Sequence, residues 1–223
     1  MDKAQARAGL YIHIPFCVQK CPYCDFYSLP PRGDIAQRYV GAVIREAAAA
    51  RHKYAAEFDT LYIGGGTPSV LGADALAEMV TALRGVFNID TQAEVTVELN
   101  PSDVGDEHKE FAFSRLAAAG VNRLSLGLQS ASDDERRQLG RRGKATDTAR
   151  AAGRAREAGI ADISFDLMLG IPGQTIDTLR RCVAFCAENA ATHVSAYMLK
   201  IEEGTPFAVR EHSLNLPPED EVC

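Results

Sequence analysis

Apolar residues along the chain follow two alternating rhythms. Short runs that are β-branched or alternate apolar with polar recur at "LYIHI" (10–14), "TLYIG" (60–64), "EVTVEL" (94–99), "RLSLGL" (123–128), "DISFDLML" (162–169) and "HVSAYML" (193–199). They read as six strands. Between them the period lengthens to three and four, as in Tyr39, Val43 and Ala47 or Leu76, Val80 and Leu83, which is the stripe of an amphipathic helix. Gly120 and Gly159 stand where two helices should stop, and Thr175 where another should start. Strands separated by single helical stretches imply right-handed βαβ units and a parallel sheet. The expected fold is an α/β (β/α)6 array, either a partial barrel or an open sheet.

Composition narrows the setting. A chain of 223 residues that is 46% hydrophobic can bury one substantial core and would be crowded as two full domains. Its formal charge of -6 gives no broad attraction to nucleic acid or anionic lipid. The opening "MDKAQARAGLYIHIPFC" has too short an apolar stretch for a signal peptide, and nothing later approaches a membrane span. A cytoplasmic location is expected, with no nucleic-acid partner and no evident membrane association. In that compartment clustered thiols serve as metal ligands or redox groups more often than as disulfides.

In such folds the loops at the carboxyl ends of the strands converge on one face. The unusual stretches all fall there: "HIPFCVQKCPYCDF" after the first strand, "GGGTPS" (64–69), "ELNPS" (98–102), "LGLQS" (126–130) and "DLMLGIPGQT" (166–175). One composite site is the economical reading. Cys17, Cys21 and Cys24 lie within eight residues. A zinc site wants four ligands, and the nearest fourth candidate, His13, sits on a strand. A four-iron cluster fits better, because three thiolates leave one iron open to a small molecule.

The ordered set Cys17-x3-Cys21-x2-Cys24, "YIGGGTPS", a strand-end glutamate, "NRLSLGLQS", "LGR" and "DLMLGIPGQT" resembles the radical S-adenosylmethionine (SAM) superfamily. Within it the chain is similar to the oxygen-independent coproporphyrinogen III oxidases and, more closely, to the heme chaperone family HemW. The resemblance runs from about residue 10 to residue 207 and implies a partial (β/α)6 barrel, a [4Fe-4S] cluster on the three cysteines, and SAM chelating the open iron. It implies a core able in principle to cleave SAM reductively to methionine and a 5′-deoxyadenosyl radical. The hard chemistry belongs to the cofactors.

The resemblance also assigns individual residues, each with a plainer reading beside it. Gly64, Gly65 and Gly66 would permit a tight turn; by family position Gly65, Gly66 and Thr67 lie against the SAM ammonium. Glu98 reads alone as a solvated strand end, and in the family contacts SAM. Gln129, ending an apolar strand, needs polar partners that a ligand would supply. Arg141, in "GRRGK", would ordinarily be a solvated loop, and by family position pairs with the SAM carboxylate. Asp166 is costly to bury unless it binds something; the family places it near the ribose. Tyr11 matches a residue beside SAM and could equally be core. Cys182 and Cys186, four apart on a helix, read as core; His52, His108, His193 and His212 read as isolated, and Cys223 falls outside any motif.

Two departures separate the subgroups. Coproporphyrinogen III oxidases of this type carry a further cysteine just after the triad and a long N-terminal extension, whereas here Cys24 is followed by Asp25 and Phe26, and sixteen residues precede Cys17. Coproporphyrinogen oxidation is therefore the lesser expectation, and delivery of heme to an acceptor protein the leading one. An electron donor such as flavodoxin or ferredoxin would serve the cluster. The end "NLPPEDEVC" looks like a helix start that stops short, so residues 1–207 are expected to form the core and 208–223 a truncated linker toward a missing C-terminal domain.

Overall fold

A computed structural model of the chain describes residues 7–54, 56–106, 108 and 110–218; Cys223 lies outside them. The strands β1 (Arg7–Ile14), β2 (Glu57–Gly65), β3 (Ile89–Leu99), β4 (Arg123–Gln129), β5 (Asp162–Leu169) and β6 (His193–Met198) form one sheet in the order β1-β2-β3-β4-β5-β6. Every neighbouring pair is parallel. The crossovers carry α1 (Ile35–Ala50), α2 (Ala73–Val86), α3 (Pro101–Val104), α4 (Phe113–Ala119), α5 (Asp133–Gln138), α6 (Ala145–Glu157) and α7 (Ile176–Glu188), and α8 (Pro206–Val209) follows β6. Each crossover steps one strand along in the same direction, so the twisted sheet curls into a half-barrel. All six strands predicted from the sequence are present. β3 begins five residues before the apolar run at Glu94, because its polar opening Asp90, Thr91, Gln92 hides the period.

Strand alternation divides the sheet into two chemically different faces. Leu61, Ile63, Val95, Val97, Leu124, Leu126, Ile163 and Phe165 are fully buried in the main core, where they meet Leu76, Met79, Val80 and Leu83 of α2. The intervening residues Tyr62, Glu98, Ser125 and Asp166 face the other way and line a cavity. Cys182 and Cys186 are buried in the core, and burial pushes the Cys186 thiol up to about 11. The stops behave as their residue types require: Gly120 is left-handed at φ 94°, and Thr175 caps α7 by accepting from Thr178 N–H.

A second, smaller apolar cluster joins Leu139, Ile171 and Phe207, with Tyr23, Met168, Leu199, Ile201 and Leu214 packed against it. It brings α8 and the residues after it beneath the cysteine loop. Phe207 N–H donates to Pro22 O at 3.0 Å, and Gly173 N–H to Asn215 O at 2.7 Å.

Candidate functional site

The loop between β1 and α1 carries the three cysteines and is closed at its base. Phe16 and Leu29 form a parallel bridge, Cys17 N–H donates to Leu29 O at 3.1 Å and Leu29 N–H to Pro15 O at 2.8 Å. The loop therefore projects over the strand ends as a tied excursion, with Tyr23 anchored on Phe207, ring centroids 6.1 Å apart. Cys17, Cys21 and Cys24 are part-buried and unbridged. Burial first, and then the neighbouring Cys21 and Cys17, push the Cys24 thiol up. A cationic centre bound there would offset that upward push and favour the thiolate. Among the described residues no three His, Cys, Asp or Glu side chains converge on a single metal ion.

Beneath the loop lies a cavity of about 530 Å³ lined by all three cysteines, Gly65, Gly66, Thr67, Glu98, Gln129, Arg141 and Asp166. Residues at or just beyond the ends of β1 to β5 thus meet in one place. Tyr11 stands apart: it is 55% exposed, pairs in register with Tyr62, and donates or accepts at His13 Nδ1 at 3.0 Å outside the lining.

The glycine turn is shaped by its neighbours. Gly65 has φ 108° and a Cβ there would lie 2.4 Å from the His13 ring; one on Gly66 would lie 2.7 Å from the carbonyls of Ile14 and Phe16. Glycine is needed on both counts. The amides of this turn are already engaged: Gly65 N–H donates to Glu98 Oε2 at 3.1 Å, Gly66 N–H to Ile14 O at 2.8 Å and Thr67 N–H to Phe16 O at 2.7 Å. What the turn has left for a ligand is carbonyl oxygen, an acceptor suited to an ammonium. Thr67 Oγ1 lies 3.3 Å from Cys17 Sγ, joining the turn to the thiols.

Opposite, β4 ends in a bulge. Its pairing with β5 shifts between Leu126 and Gln129, Gln129 adopts φ 65°, and two arginines take the carbonyls this exposes: Arg136 Nη1 donates to Leu128 O and Arg141 Nη2 to Gly127 O at 3.0 Å. A Cβ on Gly127 would lie 2.5 Å from Arg141 Nη2, so a side chain there would push the guanidinium off its place. The Gln129 amide takes no partner among the described residues. Arg141 Nε is buried without a partner. Burial alone would lower the Arg141 pKa, but Tyr23, Cys21 and Asp166 outweigh it and raise it. Arg142 points into solvent at the rim. A guanidinium fixed on Gly127 O in the wall of a cavity that the three cysteines also line fits a carboxylate-bearing ligand held near a thiolate-bound cluster.

Two carboxylates complete the wall. Asp166 accepts from Ser125 Oγ at 2.8 Å, while burial, opposed by that bond and reinforced by Glu98, raises its pKa to about 6. Glu98 accepts from Tyr62 OH at 2.6 Å. Tyr62, Tyr23, Ser125 and Tyr197 line the cavity and were not singled out from the sequence. Their signal was there in part: Tyr62, Ser125 and Asp166 occupy the polar phase of otherwise apolar strands.

A model of the radical SAM superfamily matches residues 11–186. The chain is 34% identical over 220 residues to the heme chaperone HemW of Haemophilus influenzae, covering 96% of this chain and 56% of that protein. It is 38% identical over 221 residues to the HemW of Mycobacterium tuberculosis strain H37Rv, covering 95% and 55%. The solved coproporphyrinogen III oxidase HemN from Escherichia coli, a radical SAM enzyme, superposes with a TM-score of 0.83 at 26% identity, over 98% of this chain and 50% of that one. The chain spans about half the length of the curated relatives it matches.

Proposed function

The chain belongs to the radical SAM superfamily, and on that premise we propose that it holds a [4Fe-4S] cluster on Cys17, Cys21 and Cys24 and binds SAM across the strand ends, as the core of a HemW-like protein that passes heme to an acceptor protein. The observation that carries the SAM reading is Arg141, half-buried in the cavity wall with its Nη2 tied to Gly127 O at 3.0 Å. When bound, the cluster would supply the electron for reductive SAM chemistry and an open iron for the amino acid end. Arg141 would take the carboxylate, the Gly65–Thr67 turn the ammonium, and Glu98 or ionised Asp166 the ribose hydroxyls. The likeness to HemW over nearly the whole chain supports the heme assignment, and an electron donor of the flavodoxin or ferredoxin type would serve the cluster.

Likeness to HemN favours a second reading, oxidative decarboxylation of coproporphyrinogen III, although Cys24 is followed by Asp25 and Phe26, without the further cysteine those enzymes carry just after the triad. Anaerobic reconstitution followed by iron and acid-labile sulfide analysis tests the first step: about four of each per chain are expected, with a strong loss in Cys21→Ala and none in Cys182→Ala. Full iron in Cys21→Ala would overturn the cluster assignment. Release of protoporphyrinogen from coproporphyrinogen III would replace the chaperone reading with the enzymatic one, and a Soret shift on heme titration would support the former.

A further inference from the structure

Glu98 is held from two sides by its own chain. Its Oε1 accepts the Tyr62 hydroxyl at 2.6 Å and its Oε2 the Gly65 amide at 3.1 Å, and among the described residues no cation pairs with it. Gly64 between them has no room for a side chain: a Cβ there would lie 2.7 Å from both the Tyr62 ring and the Glu98 carboxyl carbon. Tyr62, Gly64, Gly65 and Glu98 are therefore interlocked, and the link runs from β3 through the carboxylate into the turn that ends β2. Tyr62 is half-buried with its ring on the cavity wall. Burial, and after it the hydrogen bond to Glu98, push its hydroxyl far above the ordinary phenol value, so it stays a donor.

We infer that Tyr62 is a positioning residue for the SAM site: its hydroxyl fixes one oxygen of Glu98 so that the other holds the Gly65 amide, and the glycine turn is thereby set before any ligand arrives. This rests on the SAM-binding reading. A carboxylate released from Tyr62 can rotate away from Gly65, and the turn then has to be ordered at the expense of ligand binding. The charge-assisted bond is the strong kind, and its loss corresponds to about a tenfold change in affinity.

The test compares Tyr62→Phe, Glu98→Gln and the double variant in the full chain. Hydrogen exchange of residues 63–67 in the ligand-free protein should quicken in Tyr62→Phe while the reconstituted iron content stays as in the unaltered chain. Calorimetry with SAM should show about tenfold weaker binding in Tyr62→Phe, and the double variant should bind little worse than Glu98→Gln alone, because both changes break one linkage. Unchanged exchange in Tyr62→Phe overturns the inference whatever happens to SAM, as do additive losses in the double variant. If the unaltered chain binds no SAM, the proposed function falls, and the exchange measurement still decides whether Tyr62 braces the turn.

Discussion

Asp166 is an acid kept where ionisation is disfavoured. Its carboxyl titrates at about 6 instead of 3.8, by burial first and then by Glu98 against the Ser125 bond. Between those values the folded chain holds a proton that the unfolded chain releases, so this group's contribution to stability is fully present below about pH 4 and lost as pH rises through about 6. Asp166→Asn should therefore stabilise the ligand-free protein at pH 7 by about 1–3 kcal/mol, with the gain disappearing near pH 3.5 in urea titrations; an equal gain at both pH values would contradict the assignment. Arg141 supplies the complementary case. Arg141→Ala should weaken SAM binding by about 1.5–3 kcal/mol, while Arg142→Ala, exposed at the rim, should change calorimetric affinity little. The cysteines were legible because their spacing is itself the signal. Arg141 was ambiguous because "GRRGK" reads as solvent loop, and its place in the cavity wall near Tyr23 and Cys21 is a tertiary fact. Tyr62 escaped notice because an aromatic in a strand reads as packing.

At the scale of elements, the six strands followed from periodicity, since a sheet with one polar face writes alternation into its strands, whereas their order in the sheet is known from the structure. The bulge ending β4 did not. It depends on two arginine side chains arriving from α5 and the following loop to cap Leu128 and Gly127, and no local pattern announces a carbonyl left off its ladder. Gln129 holds a left-handed backbone there, a strained position for a residue with a side chain. α7 shows the opposite situation, a start fully written in its residues: Thr175 and Thr178 exchange side-chain and backbone bonds at 3.2 and 2.9 Å. Thr175→Ala should cost about 1 kcal/mol in urea unfolding with no change in cluster content.

Across the whole molecule, the main core supports the sheet and the small cluster around Phe207 supports the cysteine loop. Phe207 is fully buried, tilted against the Tyr23 ring and covered by the Arg210 guanidinium 4.9 Å from its ring centroid. Phe207→Ala should cost about 3–5 kcal/mol if the cluster cannot collapse, and should speed bleaching of the reconstituted cofactor in air relative to Thr175→Ala, which leaves the loop untouched. Equal bleaching in the two variants would show that the loop stands without this support. Nothing in the sequence joined "PFAV" to "CPYC", because the contact spans nearly the entire chain.

That same contact sets an order of events during synthesis. Pro22 and Phe207 are 185 residues apart by their numbering, and a ribosome adding roughly 5–20 residues per second needs on the order of 10–40 s to make the second after the first. For that interval the three thiols hang from the first strand of a sheet still being made, reactive toward stray metals and oxidants. Any cluster placed on these thiols would thus wait on Phe207, and iron arriving earlier would meet a ligand set that has not yet been arranged.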